Sequence, residues 1–428
     1  MKDPKQHLVV PILDLQRLNV ISALGRGATG VVFLVVNEES SESLALKVIL
    51  RDSIEKKCNG NDDQYKRVCF EQQALMCFKH PLLPRLKGVL STDKVVGYAI
   101  DYCPGQDLNS LRNKQTERMF SDHLIRFYAA EMVLALEYLH NLDIAYRDLK
   151  PENIMIQDNG HIMLVDFDLS TELTPKTPKA SPTTTATLIK PDESATTTKR
   201  RRSLFQRCCN SGISREDSVV SLTKPKPESE PDSCGKSNSF VGTEEYVAPE
   251  MILGNGHDFS VDWWSLGIVL YEMLYGVTPF KGSNRKETFY RVLTEPARLV
   301  GEATLLRDLI SKLLEKDPVK RIGVEEIKGH DFFRGIDWDL VLTISRPPYI
   351  PLQHLENGIE GKEGIKEIDV ELFVQRIFQA TGECEKNKVD DEDTTNKYNE
   401  KNNQNVNKGV WVNGLNNNPC QTNSFSVF

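Results

Sequence analysis

The chain has 428 residues with a formal net charge of -8, and 39% of them are hydrophobic. This composition is typical of a globular protein with room for two or three domains. The acidic balance argues against a nucleic-acid binder, which usually carries a basic face. No secretory signal is recognisable near the start, and the apolar run around Glu272 is too short to span a bilayer. Nine irregularly spaced cysteines do not make a disulfide framework, so we expect a reducing, intracellular environment.

The first hundred residues are predicted to be rich in β-strands. Four short segments, dominated by Val, Ile and Leu and bounded by turn residues, lie at 18–24, 30–37, 43–50 and 94–101. One helical pattern, residues 64–81, interrupts them and is closed by Pro81.

The hydrophobic period changes at Ser121, where an N-capping Ser-Asp pair opens a helical pattern that continues to residue 141. Several more helices are predicted between about 260 and 330. A strand-rich region followed by a helix-rich region predicts an α+β, two-lobed architecture.

Two segments do not fit this pattern. Residues 171–238 are rich in Thr, Ser, Pro and Lys, and their length exceeds the roughly 12–15 residues of a normal loop, so we predict a disordered insertion. The sequence after about residue 355 is a polar, low-complexity tail.

A glycine-rich motif lies between the first two predicted strands, with Gly25, Gly27 and Gly30 in the sequence LGRGATGVVF. A dinucleotide-binding turn would need a helix to begin here, but a strand follows. The glycines therefore belong to a strand-loop-strand hairpin whose backbone N–H groups can approach phosphate oxygens. The other residues that we assign to the nucleotide here are Leu24, Arg26, Ala28, Thr29 and Val32.

Lys47 lies among apolar residues of the third strand, where an unpaired charge would be costly. Glu71, on the following helix, is a suitable partner. An ordinary salt bridge is the default interpretation of such a pair. The position of the pair after the glycine hairpin favours a lysine that holds the α- and β-phosphates and is oriented by Glu71.

The strongest motif is YRDLKPENIM, followed at short spacing by LVDFD. Asp148 can accept the proton of a substrate hydroxyl, and Lys150 can neutralise charge on the transferred phosphoryl group. Asn153 and Asp166 offer the oxygen ligands that Mg²⁺ needs to bridge phosphates. The alternative is an exposed polar turn, which we discount because several spaced matches occur in a fixed order.

From about Leu18 to Phe333 the chain resembles the protein kinase catalytic domain. The resemblance implies a bilobal α+β fold, with a small lobe at 18–103 and a large lobe at 104–333. An N-terminal extension at 1–17 and a C-terminal extension at 334–428 flank the two lobes. It also implies ATP and Mg²⁺ as cofactors and proteins as substrates. The hinge would run from Asp101 to Cys103, with Ile100 as gatekeeper and Asp107 near the ribose.

Further motifs narrow the resemblance within the family. The DLKPEN loop and Thr243 are similar to the serine/threonine branch, and FVGTEEYVAPE, DWWSLG and RPPYIP resemble AGC kinases. Arg321 matches the family arginine that pairs with Glu250 of the APE motif. The DFD triplet and the long insertion resemble the plant-specific class. Within that class, GYAIDYCPGQDLNSLR and KGSNRKETFYR are similar to plant kinases inducible by oxidative signals, which implies a role in stress or oxidative signalling. A nucleotide-binding pseudokinase that acts as a scaffold is the alternative function.

Two residues depart from the family pattern. Tyr146 replaces the usual histidine before Arg147 and keeps an aromatic ring that can pack under the loop. Asp168 replaces a glycine, and aspartate is among the residues that best tolerate unusual backbone angles. Of the two aspartates in this turn, we therefore assign the metal-ligand role to Asp166 alone, beside Asn153.

The resemblance also implies a mode of regulation. Ser239 matches the activation-loop phosphosite of AGC kinases, and Arg147 is the natural cation to receive its phosphate. Phe425 and Phe428, at the very end of the chain, resemble the docking motif for an upstream phosphoinositide-dependent kinase. The basic run Lys199–Arg202 is compatible with contact to anionic lipid, with nuclear targeting or with a basic-directed phosphosite at Ser203. We expect the protein in the cytoplasm, the nucleus or both, with peripheral membrane association through this basic run.

Overall fold

The computed structural model describes residues 10–27, 30–55, 63–173, 237, 239, 241–343 and 368–386. Within these ranges the chain forms a small lobe built on a five-stranded antiparallel sheet and a larger, mainly helical lobe. The predicted α+β, bilobal architecture is confirmed. No helix in the described ranges combines the length and the apolar character needed to cross a membrane.

The small-lobe sheet has the strand order β1-β2-β3-β5-β4. Its strands are β1 Leu18–Arg26, β2 Gly30–Asn37, β3 Ser43–Leu50, β4 Leu86–Ser91 and β5 Val95–Asp101. The four strands expected from the sequence are confirmed, whereas β4 was missed. Its alternation is interrupted by Lys87 and Gly88, and the pairing with β5 shifts register at this point.

Two helices follow β3, α1 Arg51–Glu55 and α2 Asp63–Cys77. The second is the helix predicted at 64–81, and it ends four residues before Pro81. One face of α2 is buried between the lobes through Glu71, Ala74 and Leu75. This helix therefore brings a carboxylate next to the sheet.

The large lobe is organised around two long helices, α4 Asp122–Asn141 and α6 Ser260–Tyr275. The Ser121 side chain caps α4 by accepting a hydrogen bond from the backbone of Leu124, as the sequence predicted. Almost all of α6 is buried, including the indole of Trp264. The other helices are α3 Leu108–Asn113, α5 Pro249–Leu253, α7 Arg285–Thr294, α8 Leu305–Leu313 and α9 Val324–Lys328.

Two short antiparallel sheets present the catalytic segments at the base of the cleft. One pairs β6 Ile144–Ala145 with β9 Thr171–Glu172, and the other pairs β7 Ile154–Ile156 with β8 Ile162–Leu164. The loops before β7 and after β8 contain Asp148 and Asp166. A buried bidentate pair between Arg321 and Glu250, at 2.6 and 3.0 Å, confirms the pairing expected from the APE motif.

Two boundaries differ from the sequence prediction. Residues 171–173 belong to the fold, because Thr171 pairs with Ala145, and Ser237 forms a bridge with His257. The predicted unstructured insertion at 171–238 is therefore wrong at both ends, and 174–236 lies outside the described residues. The polar tail was also predicted too broadly, since residues 370–386 form the helix α10 Val370–Lys386. Its burial against the small lobe overrides the polar composition of the surrounding sequence.

Candidate active site

The glycine-rich motif forms the hairpin between β1 and β2, as predicted. The backbone N–H of Gly27 donates to the carbonyl of Gly30 at 2.8 Å and closes the turn. A Cβ atom on Gly30 would lie 2.5 Å from the Val48 carbonyl oxygen of β3, so a side chain is excluded at this position. Leu24 and Val32 flank the hairpin on β1 and β2. Ala28 and Thr29, at the tip, lie outside the described residues.

Lys47 makes two ion pairs in the cleft below the hairpin. Its Nζ lies 3.0 Å from Glu71 Oε2 of α2 and 3.0 Å from Asp166 Oδ1. Burial opposes the charged form, but Asp166 and Glu71 outweigh it and raise the pKa of Lys47 well above its usual value. Because Lys47 stays charged, the three groups connect β3, α2 and the segment after β8.

The two carboxylates of this group differ in the net direction of their pKa shifts. Burial raises the pKa of Glu71, although Lys47 opposes the shift. The pKa of Asp166 is also pushed up by burial, but Lys47 and Lys150 outweigh this and hold it below its ordinary value. Asp166 therefore remains ionised, which suits a residue that must contact cations.

Asp148 is fixed by three neighbouring side chains. Its Oδ2 accepts hydrogen bonds from Lys150 Nζ and Asn153 Nδ2, both at 2.9 Å. Its Oδ1 accepts one from Thr243 Oγ1, also at 2.9 Å. The structure thus brings together Asp148, Lys150 and Asn153, which the sequence predicted to lie on one loop. Thr243, identified from the sequence only as a marker of the serine/threonine branch, also orients the aspartate.

Asn153 and Asp166 fit the role of metal ligands. The Oδ1 atom of Asn153 is buried and has no hydrogen-bond partner within the described part of the chain, while its amide nitrogen is held by Asp148. A buried oxygen without a donor is costly unless a ligand satisfies it. Carboxylate and amide oxygens are the ligands that hard divalent cations prefer. The pair is thus chemically suited to such a cation.

The LVDFDLS turn has an unexpected backbone conformation. Asp166 adopts a left-handed conformation with φ of 61°, whereas Asp168 is not among the positive-φ residues. The tolerance of aspartate for unusual angles is therefore not required at Asp168. Phe167 connects the turn to α2, because its N–H donates to Glu71 Oε1 at 3.0 Å and its ring packs 4.8 Å from Phe78.

Tyr146 supports this turn from below. Its ring is fully buried and lies 5.3 Å from that of Phe167, and its hydroxyl donates to the carbonyl of Val165 at 2.5 Å. The aromatic packing expected for this replacement is therefore present. The hydroxyl adds a hydrogen bond to the segment that precedes Asp166.

The predicted hinge residues use their side chains within the protein. The Asp101 carboxylate pairs with Lys87 Nζ at 3.0 Å. Both carboxylate oxygens of Asp107 cap α3, through the backbone N–H and hydroxyl of Ser110 at 2.7 Å. Cys103 is buried against Met163, with 3.6 Å between the two sulfur atoms, and burial raises the pKa of its thiol. Cys103 therefore contributes apolar surface, and each Asp107 oxygen keeps one lone pair for a ribose hydroxyl.

The predicted phosphosite lies beside Arg147. The Arg147 guanidinium donates to Ser239 Oγ at 2.5 Å and to Ser237 Oγ at 3.2 Å, and lies 3.3 Å from His257 Nε2. Among the described residues, no carboxylate oxygen lies within 4.0 Å of this guanidinium. Burial lowers the pKa of Arg147 to about 10; the negative charge of Asp262 opposes this shift, and the charge of Arg67 on α2 adds to it. A buried cation without an anionic partner is favourable for a phosphate.

Sequence reasoning missed two groups at this site. Arg67 lies four residues before Glu71 and thus on the same face of α2, which was the available signal. His257 reaches Arg147 only through tertiary folding, and no local pattern marks it. Other predicted residues, Lys199–Arg202, Phe425 and Phe428, lie outside the described residues.

The chain matches the family model described as "Protein kinase domain" over residues 18–197 and 226–333. The chain belongs to the protein kinase family. It is 60% identical over 97% of its length to the Serine/threonine-protein kinase OXI1 of Arabidopsis thaliana, of which it covers 97%. It is 40% identical over 82% of its length to the Serine/threonine-protein kinase UCN of Arabidopsis thaliana, of which it covers 87%. It is 38% identical over 80% of its length to the Serine/threonine-protein kinase AGC1-5 of the same plant, of which it covers 60%.

These similarities place the kinase among the serine/threonine kinases of the plant AGC type. The predicted enzyme class and resemblance are thereby confirmed. Membership of the family implies the use of ATP and a divalent metal ion.

Proposed function

We propose that this kinase transfers the γ-phosphate of Mg²⁺-bound ATP to serine and threonine residues of proteins. Asp148 accepts the proton of the substrate hydroxyl, and Lys150 neutralises charge on the moving phosphoryl group. Lys47 holds the α- and β-phosphates and is oriented by Glu71, beneath the glycine hairpin. Asp101, Cys103 and Asp107 contact the adenosine.

The observation that carries this proposal is the arrangement around Asp148. Lys150, Asn153 and Thr243 occupy its two oxygens in a fixed geometry. An oriented carboxylate can receive a proton from a hydroxyl placed at hydrogen-bond distance. Because Lys150 contacts both Asp148 and Thr243, the same three residues also fix the cation that faces the transferred group.

Mg²⁺ would be held by Asn153 and Asp166. A cation held there would supply positive charge against that of the phosphates. The buried Asn153 Oδ1 without a partner and the ionised Asp166 support this assignment.

A phosphotransfer assay on a basic peptide tests the proposed reaction. We expect Asp148→Asn to reduce kcat by about 100-fold or more, since general-base catalysis contributes roughly 10²–10⁴-fold, while ATP affinity stays within about threefold. Asp337→Asn, on the surface of the large lobe, is the control. Unchanged kcat in Asp148→Asn would contradict the proposal. The pseudokinase alternative gains no support, because Lys47, Asp148 and Asp166 are all present. Lys47 forms an ion pair with Asp166, and Asp148 forms one with Lys150.

The kinase is activated by phosphorylation of Ser239. The upstream phosphoinositide-dependent kinase docks on Phe425 and Phe428, as the similarity to AGC kinases suggests. Incubation with that kinase should label Ser239, and deletion of the last four residues should slow labelling without changing the activity of protein already phosphorylated. Equal labelling of both forms would argue against docking at this motif.

We further propose an intracellular location, in the cytoplasm, the nucleus or both, and a role in plant stress or oxidative signalling. Lys199–Arg202 would contact anionic lipid. Sedimentation with vesicles that contain or lack an anionic lipid tests this contact, with Lys199→Ala combined with Arg200→Ala as the variant. Binding that does not depend on these residues would exclude a role for them.

A further inference from the structure

The C-terminal helix α10 covers the outer face of the small-lobe sheet. Val370 and Val374 are buried in a cluster that contains Leu46 and Val48 of β3. These residues alternate with Lys47, which points into the cleft, so α10 lies on the opposite face of the sheet. The ring of Phe373 packs edge-on against Phe33 of β2, with 5.5 Å between the ring centres. The contact therefore joins the C-terminal segment to the strand that follows the glycine hairpin.

Polar contacts hold the first turn of α10 in place. The Glu371 carboxylate accepts a hydrogen bond from Thr92 Oγ1 at 2.6 Å and pairs with Lys94 Nζ at 3.3 Å. Asp369 caps the helix by accepting a hydrogen bond from the backbone N–H of Leu372. Since a helix rises about 1.5 Å per residue, Phe378 lies about 10 Å further along the axis than Glu371. The helix thus extends from the β4–β5 turn towards the hairpin between β1 and β2.

Phe378 contacts the glycine hairpin through Arg26. The guanidinium carbon of Arg26 lies 4.8 Å from the centre of the Phe378 ring. Arg26 is half-buried, and burial lowers the pKa of its guanidinium. A cation placed over an aromatic face is attracted to it, and more strongly where water is excluded. Arg26 stands between Gly25 and Gly27, so this contact acts beside two residues whose backbone is intrinsically permissive.

We propose that Phe378 is a positioning residue for the ATP phosphates, because it holds Arg26 and thereby the glycine hairpin over them. This proposal rests on the assignment of the hairpin to the phosphates. Within the hairpin, the Gly27–Gly30 bond closes the turn, Gly30 approaches β3 closely, and Gly25 and Arg26 pair with Val32 and Val31 of β2. The C-terminal helix would therefore influence phosphate binding from outside the cleft.

The test compares ligands with and without phosphates on the full-length kinase. Phe378→Leu keeps apolar volume but removes the aromatic face. We expect its dissociation constant for Mg²⁺-ATP to rise by about 2- to 20-fold, while that for adenosine, which has no phosphates, stays unchanged. Isothermal titration calorimetry measures both. Leu372→Ala, on the exposed side of the same helix, should change neither value.

Arg26→Gln completes the test, because it removes the cation and leaves α10 packed on the sheet. We expect the double variant to bind Mg²⁺-ATP as weakly as the weaker single variant, since both changes remove the same contact. Fully additive losses would overturn the proposal. It would also be overturned by unchanged ATP binding in Phe378→Leu, or by an equal loss of adenosine affinity, which would indicate a general loosening of the lobe. Failure of the proposed function is distinguishable, since it would appear as unchanged kcat in Asp148→Asn.

Discussion

The nucleotide cleft and the Ser239 site differ in the sign of their unbalanced charge. In the cleft, one cation, Lys47, lies between the carboxylates of Glu71 and Asp166. At the Ser239 site, the Arg147 guanidinium has only hydroxyl, carbonyl and imidazole partners among the described residues, while the Asp262 carboxylate accepts from the backbone N–H of Arg147. The first region has an excess of negative charge and suits a metal ion, whereas the second has an excess of positive charge and suits a phosphate. Each site is therefore incomplete without a ligand of the opposite charge.

Removal of Lys47 should have the largest effect, because it leaves two buried carboxylates without their shared cation. We expect Lys47→Met to reduce kcat/KM by about 100-fold or more, since losing one preorganised group that stabilises charge in the transition state costs roughly 10²–10³-fold in rate. A peptide phosphotransfer assay measures the loss. Lys320→Met, at an exposed pair with Asp317, is the matched control and should retain activity. Similar activity in both variants would show that the cleft does not depend on its central cation.

Phosphorylation of Ser239 should stabilise the protein, because it provides the anion that Arg147 lacks. Charge-assisted hydrogen bonds contribute about 1.5–3 kcal/mol, so the free energy of unfolding should rise by this amount on phosphorylation. Urea unfolding of phosphorylated and phosphatase-treated protein measures the difference. Ser237→Ala, which alters the other hydroxyl on the same guanidinium, should preserve it, and Ser239→Ala should abolish it. If Ser237→Ala abolished the gain instead, the phosphate would belong to Ser237.

His257 should make the stability of the unphosphorylated protein sensitive to pH. Burial and the charge of Arg147 lower the pKa of this histidine to about 4, whereas in the unfolded chain it is about 6.5. The charged groups that influence it are Arg147, Asp258, Asp262 and Glu250. The unfolded chain binds the proton first as pH falls, so stability is lost below pH 6.5, by about 1–2 kcal/mol at pH 5.

The matched variant for this effect is His257→Gln, whose unfolding energy should fall less between pH 7 and pH 5. Phosphorylation of Ser239 should reduce the pH dependence as well, because a nearby phosphate raises the pKa of the histidine. Equal pH dependence in wild type and His257→Gln would show that this group does not titrate between the two states.

The residues of the nucleotide cleft could be predicted from the sequence more completely than those of the Ser239 site. Lys47, Asp148, Asn153 and Asp166 were identified because each lies in a short motif whose order identifies its chemistry. His257 was not, because it meets Arg147 only when segments 110 residues apart fold together. The left-handed backbone of Asp166 in the LVDFDLS turn was not predicted either, because no local pattern marks it.

The C-terminal helix shows a third limit. Its apolar residues recur at positions 370, 373, 374, 377 and 378 behind an N-capping Asp369, which is the pattern of an amphipathic helix. The polar composition of the region concealed this pattern. The sheet that the helix covers lies hundreds of residues earlier, as the contact between Thr92 and Glu371 illustrates. Sequence pattern could have predicted the helix, whereas its docking site depended on the fold.

Replacement of Asp168 should have the smallest effect and bears directly on the cleft. Burial raises the pKa of this carboxyl, and the negative charge of Asp166 adds to the shift while Lys47 opposes it. Because its backbone does not require glycine, Asp168→Gly should mainly increase the freedom of the unfolded chain, at a cost of about 0.4–1 kcal/mol. The affinity for Mg²⁺-ATP, measured by calorimetry, should change less than about threefold. Asp168→Asn separates charge from backbone freedom. If either variant abolished metal-dependent ATP binding, Asp168 would be a further metal ligand beside Asp166 and Asn153. The excess negative charge of the cleft would then act on the metal through both aspartates.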